Sequence, residues 1–182
     1  MAPRLIVVSG SPGSGKTTLA HALGRAVPCP VICRDEIREG FVQAIGPGAT
    51  AVDESIPAHV YGVFFAVIEL LLGQGVSHVA EAAFQHALWE PKLAALQSVA
   101  SMRVIHCRVD HELARARIAR RLEERPQRGL LHPDGDLLAR IASGEMSLGA
   151  FEPLRLAAPT LVVDTTDRYR PGLEAIVDFA RG

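Results

Sequence analysis

"RLIVVSGSPGSGKTT", residues 4 to 18, decides the fold. Its first half is a short apolar run ending in glycine, the pattern of a strand buried on both faces of a parallel sheet. Its second half fits Gly10-x-x-x-x-Gly15-Lys16-Thr17, and Thr17 to Ala26 continues with apolar residues at helical spacing. Between a strand and a helix, such glycines let the backbone curl so that successive N–H groups point at phosphate oxygens, and the helix N-terminus adds roughly half a positive charge. Gly10, Ser11, Pro12, Gly13, Ser14, Gly15, Lys16, Thr17 and Thr18 are therefore expected to hold the phosphates of a nucleotide. Lys16 would bridge the β- and γ-phosphates, and the Thr17 hydroxyl would ligate Mg²⁺. The competing reading is a glycine-rich turn with no ligand. Composition argues against it: the chain has seventeen arginines and two lysines, and one of the two lysines falls in this loop.

Outward from this stretch, "PVIC" reads as a second strand and "RDEIREGFVQA" as the start of a helix with an acidic first turn. Pro57 to Gln74 reads as a long buried helix, "VSHVAEAAF" as strand three, and Leu88 to Ala100 as a helix with Pro91 in its first turn. "MRVIHCRV" is strand four, and His111 to Glu124 is an arginine-rich helix followed by the Pro/Gly loop "RPQRGLLHPDGD". A short helix over 136 to 143, the strand "TLVVD" and the helix "PGLEAIVDFARG" close the chain. Strand then helix, five times over, implies a five-stranded parallel sheet with helices on both faces and right-handed crossovers. Joined to the glycine loop, that is the three-layer α/β P-loop NTPase fold, and 182 residues suit one domain spanning 1–182.

Composition bounds the function. Hydrophobic residues make up 48%, charged residues 21%, and the net charge of −1 supplies little attraction to a nucleic-acid backbone or an anionic membrane. The longest apolar run, "VYGVFFAVIELLLG", falls short of the ~20 residues of a membrane span and carries Glu69. The N-terminus runs directly into the first strand, so a cleavable leader would remove the motif, and a cytoplasmic location is expected. Cys29, Cys33 and Cys107 are widely spaced, with no C-x-x-C pair, which suggests reduced thiols and neither a disulfide framework nor a zinc site.

The chemistry depends on what else reaches the carboxyl ends of the strands. Asp35 follows "PVIC" directly, where a carboxylate can accept the proton of an acceptor hydroxyl or hold Mg²⁺ through water; an ordinary helix N-cap is the alternative. Arg34 and Arg38 flank it one helical turn apart, facing an anionic group or solvent. Glu81 ends the third strand, suited to orienting Mg²⁺ or the acceptor, and Phe84 and His86 follow as pocket candidates or core. Phe41, His59 and Tyr61 stand in the same two roles. In "HELARARIARRLEERPQRG", Arg117, Arg121 and Arg125 share one helix face. Running into a Pro/Gly loop, they suit an arginine-rich lid over roughly 115–136 that closes on the phosphates. A solvated helix balanced by Glu112, Glu123 and Glu124, or a nucleic-acid stripe, are the rivals.

In order along the chain, "GSPGSGKTT", "VICRDEIREGF", "VAEAAF", "VIHCRVDHELARARIARR" and "LVVDTTDRYRP" resemble the small P-loop kinases grouped with polynucleotide kinase, zeta-toxin-like kinases, gluconate kinase and chloramphenicol phosphotransferase. The nearest local likeness is to the polynucleotide 5′-hydroxyl kinases, in the phosphate loop and "CRDEIR", although Glu81 departs from them. The resemblance implies ATP and Mg²⁺, with Lys16 and Thr17 on the phosphates, Asp35 as general base and Arg38 on the acceptor or its phosphate. It implies a lid arginine at Arg117 or Arg121. Arg121 is favoured for the γ-phosphate and Arg117 for the nucleotide. The loop after the last strand, Asp164, Thr165 and Thr166, would pack on adenine. The expected activity is an ATP-dependent phosphotransferase with catalytic Lys16, Asp35 and Arg121 and acceptor contacts at Arg38, Glu81 and Phe84. Its acceptor would be a hydroxyl of a small molecule or of a nucleic-acid 5′ end. The alternative is a P-loop ATPase or switch that drives a protein partner without a small acceptor.

Overall fold

Five strands assemble in the order β2–β3–β1–β4–β5, every neighbouring pair parallel. The computed structural model describes residues 2–46, 55–124, 131, 132, 134–151 and 153–182. In chain order the elements are β1 (Arg4–Gly10), α1 (Lys16–Ala26), β2 (Val31–Cys33), α2 (Arg34–Ile45), α3 (Ser55–Gly73), β3 (His78–Glu81), α4 (His86–Leu96), β4 (Ser101–Arg108), α5 (His111–Glu124), α6 (Asp134–Ala142), β5 (Thr160–Asp164) and α7 (Leu173–Arg181). This is the P-loop NTPase fold that the sequence pattern predicts.

β1 sits at the centre because it can be buried on both faces: Leu5, Ile6, Val7 and Val8 are each at most 1% exposed. Leu5 and Val7 point into one apolar layer with Phe64, Phe65, Phe84 and Trp89, while Ile6 and Val8 point into the other with Leu19, Leu23, Ile176 and Val177. That alternation, two residues per repeat, is what makes three layers from one sheet. Register then fixes the site. Val8 pairs with Glu81 and with Ile105, Cys33 pairs with Glu81, and Arg108 pairs with Asp164. The carboxyl ends of β1, β2 and β3 thereby bring the loop after Gly10, Asp35 and Glu81 to one edge.

Two differences from the predicted elements have physical reasons. Strand three stops at Glu81, and the apolar continuation Ala82 to Phe84 turns off the sheet to fill the core. The helix expected over Leu88 to Ala100 begins at His86 and ends at Leu96, with Val99 N and Ala100 N still bonding Leu96 O through a closing turn. α3, the long buried helix that the sequence predicts, is long and apolar enough by composition to cross a membrane, yet Phe64, Ile68 and Leu72 are buried in this core and Val60 in a smaller cluster with Val42 and Ile56.

Candidate active site

The loop between β1 and α1 curls on its glycines. Gly13 has φ +78°, and a Cβ there would lie 2.5 Å from the Ala114 carbonyl oxygen; at Gly10, φ +149°, it would lie 2.5 Å from the Cys107 carbonyl. Only glycine fits either position without moving backbone. Gly15 caps α1 with no side-chain hydrogen bond, whereas Asp110 caps α5 by accepting from Glu112 N and Leu113 N at 2.9 and 3.1 Å. The first amides of α1 are thus left for an anion. Lys16 is 6% exposed, its ammonium 3.5 Å from the Ser11 carbonyl and 3.8 Å from Glu81 Oε1.

Glu81, 1% exposed, accepts a hydrogen bond from Thr17 Oγ1 at 3.0 Å. The structure places it against Thr17 and Lys16, away from the open part of the cavity. Burial pushes its carboxyl up and Asp35 adds repulsion; Lys16 and the Thr17 hydroxyl counter only part of this. Its buried Oε1 has no hydrogen-bond partner among the described residues. An orphaned carboxylate oxygen beside a threonine hydroxyl is a hard-oxygen donor set, and it fits Mg²⁺.

Asp35 lies in the first turn of α2, whose N-cap position belongs to Cys33, so the N-cap reading of Asp35 does not hold. Its Oδ2 is 3.1 Å from His132 Nε2 and its Oδ1 accepts from Arg34 Nη1 at 3.4 Å. Burial opposes its charge, but the His132 bond, with the charges of His132, Lys16 and Arg34, holds the carboxyl well below the usual range. Arg38 is 4% exposed, in the field of Arg34 and Asp35.

A cavity of about 670 Å³ joins the phosphate loop to Asp35, with Arg38 and Glu81 outside its lining. Gly13, Gly15, Lys16, Thr17 and Thr18 line it from the loop and α1, Asp35, Glu36 and Glu39 from α2, and Arg117, Arg120 and Arg121 from α5. Thr165, Arg168 and Tyr169 line it from the segment after β5. Arg117 Nη2 donates to the Thr165 and Thr166 carbonyls at 2.8 and 3.1 Å and Nη1 to the Gly13 carbonyl at 3.5 Å, while Thr165 Oγ1 donates to the Ser14 carbonyl at 2.7 Å. Arg117 and Thr165 therefore fasten the post-β5 segment to the phosphate loop. Arg121 makes a two-toothed pair with Asp134, Nε to Oδ2 at 2.9 Å and Nη2 to Oδ1 at 2.7 Å.

One expectation is corrected. Phe84 is 0% exposed, its ring 4.9 Å from Trp89 and 6.1 Å from Phe64, so it is core and lines no acceptor pocket. Tyr61 likewise packs on Phe65 and Trp89, and Phe41 stacks on His59 at 4.2 Å. The lid residues Arg125 and Arg128 lie outside the described residues. His132 and Asp134 were not singled out from sequence: they fall in a Pro/Gly stretch that reads as loop. His132 Nδ1 is 3.0 Å from Asp134 Oδ1, so the segment after α5 is tied to Asp35 through a single imidazole.

Residues 5–132 match the model of a family described as an AAA domain. The chain belongs to that family. Among solved structures it is similar over its whole length to a candidate kinase from Chloroflexus aurantiacus J-10-fl, at 25% identity and TM-score 0.81, covering 98% of that chain. A gluconokinase from Sinorhizobium meliloti 1021 shares 19% identity at TM-score 0.56 over 98% of this chain and 89% of its own. The APS kinase of Mycobacterium tuberculosis, solved with AMPPNP and APS, shares 18% at TM-score 0.59 over 100% and 99%. No curated protein matches at a significant level. The chain groups with the small P-loop kinases, as the resemblance in its motifs implies.

Proposed function

We propose that the protein transfers the γ-phosphoryl group of ATP to a hydroxyl acceptor received by the Asp35 carboxylate. The observation that carries this reading is that Asp35 and Lys16, delivered by different strands, line one cavity. Phosphoryl transfer asks for position and charge more than for strong acid–base chemistry. The loop amides and Lys16 hold phosphate oxygens. Asp35 accepts a hydrogen bond from the acceptor hydroxyl, aims its oxygen at the γ-phosphorus, and takes the proton as the new O–P bond forms and the bond to the β-phosphate oxygen breaks. A carboxylate kept ionised is a weak base but a constant acceptor, which suits a loose transition state. His132, 3.1 Å away, orients it. Arg121 lines the same cavity and offers positive charge to the transferring group, and Arg117 with Thr165 builds the wall against which the nucleotide base packs. Arg38 would serve the acceptor through Asp35, whose charge it faces. Mg²⁺ would be held by Thr17 and Glu81, with Asp35 through water, and would neutralise charge on the β- and γ-phosphate oxygens.

The neighbours act on different acceptors with one fold, so the acceptor is an experimental question. The test is ADP formation from Mg·ATP with 5′-hydroxyl oligonucleotides, nucleosides, sugar acids and hydroxylated antibiotics, beside Asp35→Asn. We expect strong stimulation by one class, lost in the variant, with nucleotide affinity changed no more than a few-fold. ATP consumption indifferent to every acceptor and surviving the substitution would replace this reading with an ATPase or switch.

A further inference from the structure

Three side chains to which the proposed reaction gives no role meet beside α1, on one side of the same cavity. His21 of α1, Cys33 at the end of β2 and Glu36 of α2 each bring a ligand atom within 4.8 Å of the other two. His21 Nε2 is 2.7 Å from Glu36 Oε1 and 3.7 Å from Cys33 Sγ. A tetrahedral Zn²⁺, with Zn–S of about 2.3 Å and Zn–N and Zn–O of about 2.0–2.2 Å, asks for S···N near ~3.5 Å and N···O near ~3.3 Å. The first spacing is nearly met. The second opens by a small swing of Glu36, half of whose side chain is in solvent. Cys33 is 2% exposed and held by its pairing with Glu81 in β3, so the sulfur is the fixed ligand. His21 and Glu36 line the cavity and give an ion its route in.

We propose that His21 Nε2, Cys33 Sγ and Glu36 Oε1 form a three-ligand site for a thiophilic divalent cation of the Zn²⁺ class, with water from the cavity in the fourth position. Sulfur and imidazole select against Mg²⁺ and Ca²⁺, which take oxygen. The neighbouring Thr17 and Glu81 offer only oxygen, so two adjacent sites differ in chemistry: His21 is one helical turn after Thr17, and Cys33 is the register partner of Glu81. On binding, the Cys33 S–H bond breaks, its proton leaves to solvent and a metal–thiolate bond forms; no electron changes hands. One proton is released per ion. None of this depends on the kinase reading.

The experiment is titration of the reduced, untagged chain with Co²⁺, then with Zn²⁺ as competitor. We expect a thiolate-to-cobalt charge-transfer band saturating at one ion per chain and abolished by Zn²⁺ and by Cys33→Ser. His21→Gln, at a residue whose side chain is 38% exposed, tests the site without disturbing the core and should weaken Zn²⁺ at least tenfold, as loss of even an outer-shell partner weakens sites by roughly 10–100-fold. The absence of a band in the wild type, a band surviving Cys33→Ser and so arising at Cys29 or Cys107, or unchanged affinity in His21→Gln would each overturn the proposal.

Discussion

Replacing Glu81 by glutamine should separate what the phosphate loop requires from what the fold tolerates. Glu81 is 1% exposed, its Oε1 lacks a hydrogen bond among the described residues, and Lys16 lies 3.8 Å away. Burial lifts its carboxyl above the ordinary range, so the ionised group recovers from Lys16 and Thr17 less than it loses by leaving water. Exchanging a buried ion pair for neutral groups is often neutral to stabilising by about 1–4 kcal/mol, whereas orphaning one partner costs about 3–5 kcal/mol. Glutamine falls between these limits. Its amide oxygen keeps the Thr17 bond, and Lys16 keeps the Ser11 carbonyl at 3.5 Å. We expect a net change within about 1 kcal/mol of zero, or no more than about 4 °C in Tm for a chain of this size. On the proposed role of Glu81 in holding Mg²⁺, activity should fall about a hundredfold, because a neutral amide holds that ion poorly. The assay is a thermal melt with and without Mg·AMPPNP, run beside ADP formation. If nucleotide affinity falls tenfold, the nucleotide-induced stabilisation should shrink by about 1.4 kcal/mol. A drop of more than about 6 °C in the nucleotide-free chain would refute the reasoning by showing that the Glu81–Lys16 pair holds the loop together; full activity would remove Glu81 from the metal site.

Phe84→Ala should cost about 3–5 kcal/mol from the cavity it leaves, while activity per folded molecule stays within about twofold; a specific rise in acceptor KM would return Phe84 to the pocket. Gly13→Ala strains φ +78° and drives a methyl to 2.5 Å from the Ala114 carbonyl, so nucleotide affinity measured by calorimetry should fall more than about tenfold. Asp134→Asn loosens Arg121, whose side chain is 31% exposed, and should cost about 1–2 kcal/mol, read as faster amide exchange in α6 and non-additive with Arg121→Ala. Burial works against a charged His132, but Asp134 and Asp35 raise it above its ordinary 6.5. Its stabilising contribution is therefore full below that value and lost as pH climbs through the raised one. The Tm gap between wild type and His132→Gln should be wider near pH 6 than near pH 9, and an equal gap at both would refute the charge assignment.

How legible the molecule was in its sequence depended on how local the cause was. β1 and the helix over His111–Glu124 have the predicted bounds because unbroken apolarity and helical spacing set them within a few residues. Asp35 and Glu81 could be placed at one end of the sheet because strand ends in a parallel sheet converge, and order along the chain reveals that much. Phe84 could not be placed, since an apolar residue after a strand reads alike for pocket and core. The Asp35–His132–Asp134–Arg121 chain was invisible: its members come from α2, α5 and a Pro/Gly stretch, and only the folded backbone brings them together. His21, Cys33 and Glu36 escaped for the same reason. Three elements supply one ligand each, with no spacing motif to mark them.

The aromatic layer has one more consequence. Trp89 is the chain's sole tryptophan, 3% exposed, and the Arg34 guanidinium lies 5.9 Å from its ring. The same guanidinium donates to Asp35 at 3.4 Å. On the proposed reading, an acceptor that takes hold of Asp35 competes with Arg34, and a shift of that cation changes the electric field on the indole. If that reading holds, Trp89 is an internal optical reporter: its intrinsic fluorescence should register acceptor occupancy in real time, without label or coupled enzyme, and in a chain that has never turned over.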